Sequence, residues 1–330
     1  MLRRLLERLE QRVFGLTREH VYLVKDVHLG ASRGAEIDLG KQVAHVFDLV
    51  VARCIEFVEI KRSALLNGNA AASALARRVG ATVHVVDLAV DAETDYLDDL
   101  NPAATAHRIR RASGSIDHED AMTADEAHQA FIAGVGIADA EIDAGADLLI
   151  AGDIGVGNTT AASAIIGLYA PADVVAVVGR GTGIDDAAWM RKCAAVRDAM
   201  RRGRELKAEP LELLATIGGA DFAAILGFLL RSAARRTPVL LDGLAPTAVA
   251  LIAHRVAFRA REWWRAGHLS TEPGHAAALA RLDLDPILDL RMRLGEGTGA
   301  LLAVPLIGAA ADALADMATD HATGVESFDG

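Results

Sequence analysis

Cysteine is nearly absent: Cys54 and Cys193 are the two in 330 residues. Two cysteines build neither a disulfide framework nor a clustered zinc site, which fits a reducing compartment and predicts a cytoplasmic protein. Aromatic residues make up only 4% of the chain, too few for the stacking surface that single-stranded nucleic acid requires. Positive charge is also in deficit, with 34 Lys and Arg against 45 Asp and Glu and a net charge of −11. That balance disfavours a nucleic-acid partner, although it is compatible with a local basic patch. Long apolar runs are missing as well. Residues 222–230 and 300–311 fall short of the roughly 18–20 residues of a membrane span, and the second contains Pro305. The opening Met-Leu-Arg-Arg-Leu-Leu-Glu-Arg puts charge where a secretory signal needs its apolar core.

What is present suits a folded domain. Half the residues (52%) are hydrophobic and 24% are charged, enough apolar surface for a sizeable core. The length fits one large α/β domain, alone or carrying a smaller one. The average hides one break. Residues 1–62 contain 4 alanines and residues 63–330 contain 61, and Lys25, Lys41 and Lys61 are three of only five lysines. Residues 1–62 are therefore either a terminal subdomain with its own composition or a segment of different history.

In that first segment, Leu2, Leu5, Leu6, Leu9 and Val13 lie at helical spacing and predict an amphipathic helix. Two apolar runs follow, 21–27 and 45–60, the second being a helix or a pair of strands. Beyond residue 62 the pattern is regular: an alanine-rich helix over 69–78, a β-branched strand over 82–90, and a long polar connection over 91–122. A helix over 123–144 opens on Thr123 with Glu126 three residues later, the signature of a capping box. Then one plan repeats, strand to glycine loop to helix. Strands are predicted at 147–152, 173–179 and 238–241, with helices at 159–169, 186–202 and 246–258. The helix over 186–202 carries Trp189, Cys193, Val196 and Met200 on one stripe. Short apolar strands alternating with helices predict a parallel sheet covered on both faces. Ligands of such sheets bind at the carboxyl ends of the strands.

The loops at those ends carry the chemistry. Gly152-Asp153-Ile154-Gly155-Val156-Gly157-Asn158-Thr159-Thr160 joins a strand to a helix, so backbone N–H groups and a helix start can receive an anion. It is neither a P-loop nor a dinucleotide fingerprint, and a tight turn with a threonine cap is the alternative reading. Gly179-Arg180-Gly181-Thr182-Gly183 and Ile217-Gly218-Gly219-Ala220-Asp221-Phe222 repeat the theme. Converging glycine loops suit a phosphorylated ligand, and Lys192 adds a point charge beside the second. In Arg293-Leu294-Gly295-Glu296-Gly297-Thr298-Gly299-Ala300 a glutamate stands between two glycines. Burial of such a carboxyl raises its proton affinity and makes it a usable base near neutral pH; a surface turn is the alternative. The eleven histidines show no helix-spaced metal pair, and Trp263-Trp264 reads as packing.

Together these strings resemble the nicotinate-nucleotide:dimethylbenzimidazole phosphoribosyltransferases of cobalamin lower-ligand synthesis. Residues 67–81 and 113–123 fit the same pattern, and the likeness spans about 63–315. It implies an α/β fold, a Rossmann-like three-layer parallel-sheet domain with a small helical domain built from both chain ends, and a homodimer. The implied organisation is an atypical segment 1–62, a phosphoribosyltransferase core 63–320 and a tail 321–330. The implied reaction moves the 5-phosphoribosyl group from nicotinate mononucleotide to 5,6-dimethylbenzimidazole, without metal or cofactor, nucleic acid or membrane span. The resemblance makes Glu296 the catalytic base. It gives substrate and phosphate binding to Asp153, Gly155, Gly157, Asn158, Thr159, Thr160, Gly179, Gly181, Lys192, Gly218, Gly219, Asp242, Gly243, Leu294, Gly295 and Gly297.

The first 62 residues depart from that family. Its opening Pro-x-Gly-Ser-Leu-Gly-Arg-Leu-Glu segment survives at most as Arg8-Leu9-Glu10. Its Asp-His-Gly-Val strand end has only a loose echo in Lys25-Asp26-Val27-His28-Leu29-Gly30. Those pieces help form the aromatic-base pocket, so this segment is either a diverged terminus or the product of a frame or start-site change. A non-catalytic nucleotide binder is therefore the second expectation, and a nicotinamide-dependent dehydrogenase a distant third.

Overall fold

The computed structural model describes residues 68, 70–91, 102–153, 155–181 and 183–316. The terminal helix over 2–13, the apolar runs 21–27 and 45–60, Cys54 and the tail 321–330 lie outside the described residues, as does most of what the small helical domain was expected to draw on.

Four short strands form one parallel sheet in chain order: β1 (Leu149–Ala151), β2 (Val239–Leu241), β3 (Trp264–Ser270) and β4 (Pro286–Met292). Leu149 faces Val239 and Ala151 faces Leu241, while Ala266 pairs with Pro286 and a register shift follows His268. Successive side chains of a strand point to opposite faces, and the core divides accordingly. Leu149, Ala151, Val239 and Leu241 join the larger apolar cluster, whereas Leu148, Ile150 and Leu240 join the smaller one. The smaller face is covered by α1 (Ala71–Val79) and the C-terminal α11 (Thr298–Asp316), which pack on each other. The larger is covered by α3 (Ala124–Asp143), α4 (Asn158–Tyr169), α8 (Ala220–Ala234), α9 (Leu244–Val256) and α10 (Pro273–Leu282). The remaining helices are the one-turn α2 (Pro102–Thr105) and α5 (Val174–Val177), then α6 (Asp186–Gly203) and α7 (Pro210–Ile217). The expected α/β architecture, helices on both faces of a parallel sheet, is therefore present.

The helices start and approach as their residues dictate. Thr123 caps α3 through the Glu126 amide, and the Glu126 carboxylate accepts from the Thr123 N–H at 2.8 Å, so the capping box is formed. Helices α3 and α8 cross closely because Gly134 and Gly227 sit at the contact. A Cβ on Gly134 would lie 1.8 Å from the Ala224 carbonyl oxygen, and one on Gly227 would lie 2.1 Å from that of Phe131.

Two expected strands are absent. Residues 174–177 form the helical turn α5 instead of a strand over 173–179. The segment's backbone is satisfied locally: Val178 N–H returns to the Val174 carbonyl, and the Ser163 hydroxyl donates to the Val177 carbonyl. Residues 82–90 form no strand among the described residues. Asp87 bends the chain by accepting from the Val90 N–H at 2.9 Å, the side-chain turn to which aspartate is prone. Strands β3 and β4 were not foreseen. Trp264, the start of β3, is fully buried and Trp263 packs against the same core, so packing is the role of both tryptophans. Helix α11 contains an 18-residue window, Thr298–Ala315, of mean hydropathy 1.7, with a third of it buried inside the protein. It is long and apolar enough to span a bilayer by composition, yet its inner side covers β3, β4 and α1.

Candidate active site

A buried acidic residue follows the carboxyl end of every strand: Asp153 after β1, Asp242 after β2, Glu272 after β3 and Glu296 after β4, only 4%, 2%, 5% and 3% exposed. Carboxylates this deep require partners, and those partners define the site.

Asp153 organises the first loop. Its Oδ1 accepts from the Gly155 N–H at 3.0 Å and its Oδ2 from the Asn158 side-chain amide at 2.7 Å. Gly157, at φ +86, sits at the N-cap position of α4, and the Thr160 N–H returns to its carbonyl at 2.8 Å. Thr159 points its hydroxyl at Lys192 of α6, whose ammonium donates to Thr159 Oγ1 at 2.8 Å and to the Gly179 carbonyl at 3.1 Å. The β1 loop and the Gly179–Gly183 loop are thus joined through one lysine. Burial holds that lysine below its ordinary range, while the charge of Glu272 opposes the shift.

Asp242 holds the other side. Its Oδ2 accepts from the Gly297 N–H and its Oδ1 from the Ala300 N–H, each at 2.9 Å. It anchors the start of α11, and with it the turn bearing Glu296. Residues 295, 296 and 297 have φ of +74, +66 and +77, so two glycines flank a glutamate in the left-handed region. The Glu296 N–H reaches the Asp153 carbonyl at 3.4 Å, which ties the turn to the first loop. His268 of β3 fills the space left by Gly299, where a Cβ would meet its ring at 2.1 Å. Behind it, the Ser270 N–H donates to His275 Nδ1, so the proton sits on Nε2 and is given to Thr247 Oγ1, which donates to the Gly243 carbonyl. Burial keeps His275 neutral, its pKa held down to about 3. No cluster of metal-ligating side chains occurs among the described residues.

Most of the expected site residues therefore converge. Asp153, Gly155, Gly157, Asn158, Thr159, Thr160, Gly179, Gly181, Lys192, Asp242, Gly243, Gly295, Glu296 and Gly297 line one continuous set of loops. Leu294 stands at its exposed rim. Gly218 packs against Leu214 of its own helix, and the Gly218–Gly219 turn reaches the site only through Asp221. That carboxyl is pushed up to about 8, by burial and then by the nearby charge of Asp153. Sequence reasoning missed Asp221 and Glu272 as site residues. Each stands next to a helix start, Asp221 just inside α8 and Glu272 just before Pro273 of α10, a position that reads as capping rather than as chemistry.

The arrangement offers an anion cradle of amides, a threonine hydroxyl and a lysine on one side, and a shielded carboxylate on the other. That combination suits a reaction between a phosphorylated substrate and a partner that gives up a proton.

Comparison with known proteins agrees. A phosphoribosyltransferase family model matches residues 55–325. The nicotinate-nucleotide–dimethylbenzimidazole phosphoribosyltransferase of Mycolicibacterium paratuberculosis is 57% identical over 258 residues, covering 78% of this chain and 72% of that protein. The enzyme of the same name from Mycobacterium tuberculosis is 58% identical over 260 residues, 79% of this chain and 71% of the relative. The crystal structure of the Thermus thermophilus enzyme of that name superposes with a TM-score of 0.78 at 34% identity, over 99% of this chain and 92% of that one. On the strength of these matches and of the fold they share with it, the chain belongs to the nicotinate-nucleotide–dimethylbenzimidazole phosphoribosyltransferases, pentosyltransferases of cobalamin biosynthesis.

Proposed function

We propose that the protein transfers the 5-phosphoribosyl group from nicotinate mononucleotide to 5,6-dimethylbenzimidazole, releasing nicotinate and α-ribazole 5′-phosphate, with Glu296 as general base. The observation that carries this reading is the Glu296 turn: a buried carboxylate, held left-handed between two glycines and bonded through its amide to the loop that cradles the anion.

The amides after Gly155, the Thr159 hydroxyl and Lys192 hold the phosphate. One benzimidazole nitrogen attacks the anomeric carbon from the face opposite the nicotinate, so β becomes α. The C–N bond to nicotinate breaks, and its electron pair neutralises the pyridinium, which makes nicotinate a good leaving group. Glu296 takes the N–H proton from the other benzimidazole nitrogen as positive charge develops on that ring. The substrates are small molecules, the working form is a homodimer, and the setting is the cytoplasm.

The test is release of nicotinate from nicotinate mononucleotide in the presence of dimethylbenzimidazole, followed by chromatography. Glu296→Gln is expected to keep nucleotide binding and to lower kcat by about 10²–10⁴, the usual cost of losing a general base. Turnover near wild type in that variant removes Glu296 from the mechanism. Wild-type protein that binds the nucleotide without releasing nicotinate supports a non-catalytic binder instead.

A further inference from the structure

Glu272 occupies the N-cap position of α10 yet does not cap its own helix. Its side chain crosses to a loop 91 residues away in sequence, where Oε1 accepts from the Gly181 N–H at 2.9 Å. Oε2 is buried without a hydrogen-bond partner among the described residues. It lies over Gly179, where a Cβ would be 2.0 Å from it. Lys192 grips the same loop through the Gly179 carbonyl at 3.1 Å, and its ammonium is 3.9 Å from where a Cβ of Gly181 would stand. The backbone from Gly179 to Gly181 is therefore held between the Glu272 carboxylate and the Lys192 ammonium. An unsatisfied carboxylate oxygen at this depth is costly, and Lys192, which grips the same backbone, is the cation whose charge reaches it.

We propose that Glu272 is a positioning residue of the phosphate subsite: its carboxylate fixes the Gly179–Gly183 loop through the Gly181 amide and sets the buried countercharge beside which Lys192 presents its ammonium to the substrate phosphate. This rests on reading the glycine loops as a phosphate site. The lysine has two donors committed, to Thr159 and Gly179, which leaves the third of its three N–H bonds for the ligand. The groups facing it are Glu272 from the β3–α10 turn, the Cys193 thiol on its own helix, the Thr159 hydroxyl from α4 and the Gly179 carbonyl. Arg180 and Asp186 at the rim pair with each other. Glu272 is thus the group whose negative charge favours the ammonium form most, ahead of Cys193, against the desolvation that disfavours it.

Glu272→Gln keeps an acceptor for the Gly181 N–H and removes the charge; Glu272→Asp keeps the charge and draws it back. Inorganic phosphate and nicotinate mononucleotide are titrated calorimetrically into the wild-type and variant full chains between about pH 7 and pH 9, and each variant is compared with wild type at the same pH, so that the titrations of the ligands and of Asp221, common to every protein, cancel. Glu272→Gln should bind both ligands more weakly, with a deficit that grows with pH toward a ceiling of about tenfold for each unit by which the lysine's pKa falls. The KM for the nucleotide should rise more than kcat falls, and Glu272→Asp should give an intermediate profile. Glu272→Gln with wild-type affinity at every pH overturns the proposal. So does Glu272→Asp with a wild-type profile and only a lower melting temperature, a result that also decides the matter if the glutamine variant does not fold. Wild-type protein that binds phosphate in a Glu272-dependent way but transfers nothing sinks the reaction and leaves this role standing. Full transfer with no Glu272 dependence does the reverse, and failure to bind either ligand overturns both.

Discussion

Glu296 holds a backbone conformation that its residue type disfavours. Left-handed backbone costs a residue with a Cβ roughly 1–2 kcal/mol, and glutamate has no local bond of the kind that lets asparagine adopt it. The flanking glycines take up the same conformation freely, so the strain is confined to the one residue proposed as the base. Gly295-Glu296-Gly297 singled the residue out in the sequence, with a surface turn as the alternative; its burial and its left-handed backbone emerge only in the fold. Asp221 was not legible, since its behaviour comes from burial in the fold and then from the charge of Asp153, a neighbour distant in sequence. Its carboxyl titrates at 3.8 in an ordinary setting and at about 8 in the fold. Between those values the folded chain keeps a proton that the unfolded chain has released, so stability declines as pH rises through that window and levels off above it. Asp221→Asn should abolish this slope and gain progressively on the wild type. The gain at the alkaline end is on the order of 2 kcal/mol, below the full 1.4 kcal/mol per pK unit because water can reach the loop. Thermal melting of both proteins from about pH 5 to about pH 9 checks it, and parallel profiles would refute the assignment.

Elements were readable where local signals and burial agreed. The Thr123 capping box, the glycine after β1 and the apolar face of α6 fixed three helices to within a residue or two of where they lie. Residues 173–179 misled because a valine run records burial rather than backbone shape: Val177 and Val178 are buried, but Ser163 supplies the bond that a neighbouring strand would have supplied. Strands β3 and β4 escaped notice because charged and polar residues interrupt them, Arg265 and His268 in the first, Asp289 and Arg291 in the second. The α3–α8 contact lay hidden for another reason. Gly134 and Gly227 look like helix-weakening residues in isolation, and their use is visible only when two backbones meet. Gly227→Ala places a Cβ 2.1 Å from the Phe131 carbonyl oxygen, and backbone on backbone cannot move aside as a side chain can. We expect a loss of about 3 kcal/mol, the upper end for overpacking, measured by denaturant unfolding. Nicotinate release per folded molecule should stay at the wild-type level, since neither helix face touches the loops. A stable variant with altered turnover would place this helix pair in the catalytic machinery.

For the whole molecule, the sheet and the charge balance make opposing demands. Parallel strands in chain order bring four buried acids to one edge, in a protein whose net charge is already −11, and the proposed reaction requires this edge to receive a phosphate. The family match starts at residue 55 and the composition break lies at residue 62, and the glycine loops of this edge stood out in the sequence. What it could not reveal was how the acids are neutralised. Asp153 and Asp242 spend their oxygens on amides, Asp221 holds a proton, and Glu272 faces Lys192. Near the ligand the field is therefore set by N–H groups and one lysine at short range, while at long range the molecule repels an anion. Salt distinguishes the two ranges, because screening removes interactions beyond a Debye length of about 8 Å at physiological strength and leaves buried pairs nearly intact. Raising sodium chloride from about 0.05 M to about 0.3 M should accordingly leave the Kd for nicotinate mononucleotide within about threefold and shift it, if at all, toward tighter binding. Titration calorimetry at the two salt concentrations reads this directly. Weakening by tenfold or more would mean that exposed cations dominate the site, and the amide-and-lysine cradle would then be the wrong account of how an acidic protein holds its phosphate.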